Sequence, residues 1–160
     1  MGKLTAGTVP IRRVPLTQSS TNTTIHSWQV LLISARSNPS IWVLPKGGIE
    51  PNELPQYTAL RETKEEAGVV GTLGAYMGDF SYKNNSVVSI WLLTNVSETD
   101  INQWPERDQR IRRWFELQPI IDAVQRTSPN SQAICKLFKP EILDILVRVH
   151  AYLSSLPPGQ

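Results

Sequence analysis

Between Gly47 and Val69 the chain reads GGIEPNELPQYTALRETKEEAGV, with Glu62, Glu65 and Glu66 inside five residues. On a helix these positions are related as i, i+3 and i+4, so three carboxylates leave from one side while Gln56, Leu60, Thr63 and Ala67 form an opposite, packing side. Carboxylates so close repel one another. Oxygen-only donors of this kind suit hard divalent cations such as magnesium or manganese, and such an ion relieves the repulsion. A solvated acidic face is the plainer reading of three glutamates alone, but the preceding residues weigh against it. Trp42-Val43-Leu44 reads as a short buried strand that runs into a turn, Pro45-Lys46-Gly47-Gly48, whose glycines let backbone groups approach a metal ion or a phosphate.

The elements that must position these groups are legible around them. Pro55 fits a first-turn position, where its missing N–H costs little, and Gly68 is placed to stop a helix running from Pro55 to Ala67. Arg61 stands four residues before Glu65 and can pair with it. Apolar patterning predicts strands over Thr5–Arg12, Trp28–Ser34, Gly71–Phe80, Val87–Asn95 and Arg113–Glu116, with a polar turn at Lys83-Asn84-Asn85. Helical spacing recurs over Ile120–Gln125 and Pro140–Leu153. The stretch Thr17 to Thr24 has the composition of a mobile loop, and residues 154–160 read as a flexible tail.

With Gly47, Glu53, Arg61, Glu62, Glu65, Glu66 and Gly68 in place, the segment resembles the Nudix box, G-x5-E-x7-R-E-U-x-E-E-x-G-U, of the Nudix hydrolase superfamily. Thr63 is the one departure, standing where the pattern asks for a bulky apolar residue; its methyl can still pack. Beyond the box, VLLISARSNPSIWVLPKGG, GTLGAYMGDF, RIRRWFELQPIIDAV and Lys139-Pro140 are similar to the diphosphoinositol polyphosphate phosphohydrolases, which also hydrolyse diadenosine polyphosphates. The similarity covers roughly residues 3 to 147. It implies an α/β/α sandwich around a mixed sheet, a single domain over residues 1–160, and magnesium or manganese as cofactor. It further implies metal-assisted hydrolysis of a phosphoanhydride. In that scheme Glu62, Glu66 and the Lys46 carbonyl hold the ion, Glu65 is general base or a further ligand, and Glu53 and Arg61 support the site. The substrate-binding set it implies is Lys3, Arg36, Lys46, Gly47, Gly48, Lys83, Arg110, Arg112 and Lys139, with the choice between Arg110 and Arg112 open. A nucleotide-directed hydrolase of nucleoside triphosphates or capped RNA, and a non-catalytic phospholigand-binding domain, are the competing readings.

Composition is consistent with one small enzyme. At 160 residues and 40% hydrophobic the chain can bury a single core. The net charge of +2 alongside so acidic a helix asks for clustered cations elsewhere, which a polyphosphorylated small-molecule substrate explains. One cysteine, Cys135, allows no internal disulfide, and no stretch has the length of a membrane helix. A cytoplasmic protein, with the nucleus open to it, is expected, with no membrane partner. Asn-x-Ser/Thr triplets at Asn22, Asn84 and Asn95 are then coincidental. The basic run Arg107–Arg113 is too short to argue for nucleic acid. His26, His150 and the tryptophans read as structural, save that Trp42 could border the pocket, and Cys135 reads as a buried small hydrophobe.

Overall fold

A computed structural model describes residues 2–17, 20 and 24–159. The expected loop at Thr17–Thr24 falls mostly outside them. The chain runs β1 (Leu4–Thr17), β2 (Thr24–Ser34), β3 (Trp42–Val43), β4 (Lys46–Gly48), α1 (Pro55–Ala67), β5 (Val69–Ser81), β6 (Val87–Glu98), β7 (Arg112–Glu116), α2 (Leu117–Gln125), α3 (Pro129–Cys135) and α4 (Pro140–Ser155).

The long strand β1 organises the sheet. Its first half lies parallel to β6, with Leu4 opposite Val87 and Pro10 opposite Leu93. Its second half pairs antiparallel with β2, from Ile11 opposite Val30 onward. β5 continues the sheet beyond β6, while β7 and β3 pair with β2 and β4 with β1, so the sheet is mixed. Strand β2 shows why both faces must be covered: Val30, Leu31, Leu32 and Ile33 are all fully buried. Val30 and Leu32 join Val9, Ile90 and Leu92 against α2 and α4 through Ile121, Ile142, Ile145, Leu146 and Val149. Leu31 and Ile33 point the other way, to Val69, Leu93 and Ala67 at the end of α1. A continuous apolar run is the mark of a strand sandwiched between helical layers, and the outcome is the expected α/β/α arrangement. No helix among the described residues is long and apolar enough to cross a membrane.

Several boundaries differ from the sequence reading. β1 extends past Arg12 because its polar end is half of a hairpin with β2. Lys46–Gly48 is a strand paired to β1, with Gly7 opposite Lys46, and is not a free turn. Leu44 is buried but lies outside the two-residue strand β3. α3 went unread, and α4 continues to Ser155, so the tail begins later than residue 154. Cys135 is half-buried at the end of α3.

Helix α1 buries Thr58, Ala59, Thr63 and Ala67. Gln56 is exposed, because the packed stripe starts only after the chain has entered from the rim at Leu54 and Pro55. Thr63 contributes more than its methyl. Its hydroxyl donates to the Ala59 carbonyl at 2.6 Å and therefore accepts from Thr8 Oγ1 at 2.7 Å, which ties α1 to β1 inside the core. Gly68 ends the helix at φ +62°, in the left-handed region. A Cβ there would stand 2.5 Å from Trp104 Cγ and 2.6 Å from an Arg112 nitrogen. Gly68→Ala is therefore expected to lower stability by about 1–3 kcal/mol, combining backbone strain with displacement of Trp104, as read from urea unfolding midpoints.

Candidate active site

Pairing of β4 with β1 fixes the glycine segment under α1. An ideal Cβ on Gly47 would fall 2.0 Å from the Glu62 carboxyl carbon, so the carboxylate occupies the space that any other residue would fill. One helical turn on, Glu66 Oε2 accepts the Lys46 amide N–H at 3.0 Å and Oε1 accepts from Arg110 at 2.9 Å. Arg110 is itself almost buried, donating also to Glu106 at 2.5 Å and to the Ser34 carbonyl at 3.0 Å.

Arg61 holds the opposite flank. Its guanidinium grips Glu53 with two bonds of 2.8 and 2.9 Å, and donates to Glu62 at 2.9 Å and to the Gly48 carbonyl at 3.1 Å. The expected contact with Glu65 is the longest of its hydrogen bonds, 3.4 Å, and Glu65 remains 44% exposed. Glu53 further accepts from the Thr58 hydroxyl and the Glu50 amide. These contacts, with Arg61 foremost, lower the Glu53 pKa from 4.5 to about 2. Burial acts in the opposite direction on the helix: it raises the Glu62 pKa against the pull of Arg61, and raises that of Glu66 to about 7 against Arg110 and the Lys46 amide. Carboxylates driven upward by burial are sites where an added positive charge is welcome.

Two adjoining cavities open over these groups. The larger, about 560 Å³, is lined by Lys3, Arg36, Lys46, Gly47, Gly48, Glu62, Glu66 and Lys83; the smaller, about 350 Å³, by Arg36, Lys46, Glu66, Arg110 and Lys139 above an apolar floor of Val43, Leu44 and Ile142. All but one of the expected basic residues thus meet here. Arg112 does not: it donates to the carbonyls of Ala67, Gly68 and Thr99 and lies over the Trp104 ring, bracing the end of α1. Arg112 opens β7 while Arg110 lies just before that strand, and the two side chains reach different partners. Trp42 is also absent from the cavity walls, packed instead on Phe115 with ring centroids 4.9 Å apart. The aromatic wall of both cavities is Tyr82, whose ring lies 4.9 Å from the Lys46 ammonium.

Tyr82, Glu106 and Glu141 were not singled out from the sequence. Glu106 pairs with both Arg36 and Arg110, and its i, i+4 spacing to Arg110 was a usable signal. Tyr82 adjoins the basic turn at Lys83, and Glu141 reads as an ordinary first-turn acid of α4.

The donor chemistry fits a hard divalent cation: oxygen ligands, two of them half-buried and drawn upward in pKa, beside a residue with no side chain. Glu62 and Glu66 are turned onto Arg61 and Arg110 in this arrangement, and no three carboxylates converge on one point among the described residues.

Comparison with known proteins agrees with the box. Residues 14–137 match the NUDIX domain, and the chain belongs to the Nudix family. It is 36% identical over 107 residues to diphosphoinositol polyphosphate phosphohydrolase 3-beta of Bos taurus, covering 63% of each chain, so it spans less than two thirds of that relative's length. It is 29% identical over 153 residues to Nudix hydrolase 16, mitochondrial, of Arabidopsis thaliana, covering 88% of this chain and 84% of the relative. In fold it resembles an Ap4A hydrolase of C. elegans, with a TM-score of 0.55 at 21% identity over 96% of this chain and 99% of that one. It also resembles an ADP compounds hydrolase, with a TM-score of 0.62 at 18% identity over 96% and 74% respectively.

A pH signature follows from Arg61. Because the Glu53 pKa is depressed in the fold, its ion pair contributes stability in full above the ordinary value of 4.5 and loses it as pH falls through about 2. Arg61→Ala is expected to return the Glu53 titration toward ordinary glutamate values and to remove that acid-side loss, measured by carboxyl NMR titration and by unfolding midpoints against pH.

Proposed function

We propose that this chain is a metal-dependent phosphoanhydride hydrolase acting on diphosphoinositol polyphosphates and/or diadenosine polyphosphates. The observation that carries the reading is the junction of two half-buried box carboxylates, Glu62 and Glu66, with cavities that gather Lys3, Arg36, Lys46, Lys83 and Lys139. Family membership and the phosphohydrolase among its relatives support it.

Glu62, Glu66 and the Lys46 carbonyl would hold magnesium or manganese, which when bound neutralises phosphoryl oxygens and acidifies its water. Glu65, the most open of the three helix carboxylates, is free to take a proton from the attacking water or to complete the ligand set. Arg61 and Glu53 act by position: together they fix Glu62 over Gly47 and leave Glu65 lightly tethered. Lys3, Lys83 and Lys139, with Arg36, hold the phosphates that do not react, while Gly47 and Gly48 let them come close to the backbone. Arg110 serves through Glu66, whose orientation it sets. Arg112 has no part in substrate binding in this scheme.

The apolar floor of the smaller cavity, next to Tyr82, favours a second reading in which a nucleoside end sits there. Side-by-side phosphate release from a diphosphoinositol phosphate, a diadenosine polyphosphate and a nucleoside triphosphate separates the two. Turnover is expected in magnesium or manganese and should vanish in excess chelator; activity that survives chelation contradicts the mechanism. Glu65→Gln keeps shape and removes the charge, so kcat should fall at least a hundredfold, the order expected for a lost general base, with the melting temperature unchanged. A kcat within about threefold of wild type sinks the role given to Glu65.

A further inference from the structure

Helix α4 delivers two opposite charges to the site in three residues: Lys139 at its cap and Glu141 in its first turn. Glu141 is one of the few residues that line both cavities. It is also an anomaly in so cationic a place. Among the described residues it makes no ion pair, and its Oε2 is buried with no hydrogen-bond partner; the hydroxyl of Tyr82, in the same wall, is buried and unpartnered as well. Lys46 and Tyr82 both feel the Glu141 charge. The N-terminal end of a helix tolerates an acid, which accounts for how the carboxylate persists there unpaired. It does not account for its being set where the two cavities meet, among the groups that would receive phosphate.

We infer that Glu141 is a specificity-determining residue that repels phosphate from the α4 end of the cavity, so that the site accepts a linear chain of phosphates more readily than a ring crowded with them. The inference rests on the phosphate-binding reading of the cavity given above. A linear polyphosphate can thread along Lys3, Arg36 and Lys83 in the larger cavity and leave the Glu141 side to an uncharged group. A fully phosphorylated ring of similar charge cannot, because some phosphate must face the carboxylate whichever way the ring is turned. Like charges brought together in a partly buried site are discriminated far more strongly than in water. The filter is therefore a charge placed against the wrong ligand, not a contact made to the right one.

The test is binding, which reads this inference whether or not any of the ligands is turned over. Dissociation constants for linear hexapolyphosphate and for inositol hexakisphosphate, which carry six phosphates each and similar charge, are measured by calorimetry at fixed ionic strength on wild type, Glu141→Gln, Glu141→Ala and Glu141→Asp. Removing the charge by either of the first two changes should tighten inositol hexakisphosphate at least fivefold more than linear hexapolyphosphate, while Glu141→Asp keeps the wild-type ratio. An unchanged ratio in both neutral variants overturns the inference, even where thermal stability falls, since that pattern is what an acid serving only the helix end gives. A shift in Glu141→Asp as large as in Glu141→Gln overturns it too, because shape and not charge would then set the preference. Loss of phosphate release from every substrate, with the binding split intact, would instead count against the hydrolase reading and leave this one standing.

Discussion

A single guanidinium fixes the distance between the helix and the glycine strand. Arg61 reaches Glu53 in the approach to α1, Glu62 and Glu65 on α1, and the Gly48 carbonyl on β4, so three segments share one planar group. Only arginine offers five donors in a rigid fork; a lysine would reach one or two of these acceptors and leave the other acids to repel each other. Because the fork is satisfied on both edges, Glu62 cannot swing away from Gly47, and the absence of a side chain at 47 becomes a requirement of the geometry.

The far end of α1 is held by a different segment, and its backbone chemistry explains why. The last carbonyls of a helix have no partner within it. Here the Glu106 amide donates to the Glu65 carbonyl, Trp104 Nε1 to Glu66, and Arg112 to Ala67 and Gly68. The same stretch sends Arg110 onto the Glu66 carboxylate. Residues 104–112 thus cap the helix and place an acidic side chain in one stroke, which couples the stability of α1 to the orientation of Glu66. A half-buried carboxylate whose pKa is pushed up by desolvation is, to that extent, a cost to the fold. That cost is tolerable because the element that imposes it also closes the helix.

What the sequence made legible follows from how local the cause was. The limits of α1 were readable because Pro55 and Gly68 act through their own backbones, and the burial of β2 because four apolar residues in a row leave little choice of face. The Lys46–Gly48 strand was not, since its structure comes from pairing with Gly7, some forty residues away, and glycines carry no strand signal of their own. Within the site, the acids of the box could be placed by helical spacing, while Arg110 and Arg112 could not be told apart, because what separates them is which distant carbonyl or carboxylate lies within reach. Tyr82 and Glu141 are joined to the box only by the folding of β5 and α4 onto the same opening. Thr63 is a milder case: the partner of its hydroxyl, Thr8, lies 55 residues away on β1, so the bond between them has no local signal in the sequence.

The cations around the opening divide by chemistry as well as by place. Arg61, Arg110 and Arg112 are committed to carboxylates and carbonyls, whereas Arg36 pairs with Glu106 yet stays half exposed at the opening, beside the lysines. Lys3, Lys46, Lys83 and Lys139 enter no ion pair among the described residues, and Lys46 rests on the Tyr82 ring with its pKa lowered, chiefly by burial. Planar forks suit fixed architecture, whereas an ammonium on a flexible stem is a point charge that can follow a ligand. Unpaired lysines close to one another repel, so the arrangement carries unfavourable charge that an anion of any kind would relieve. The division of labour between arginine and lysine therefore lets one small cavity be rigid where its acids must be aimed and adaptable where its lysines gather.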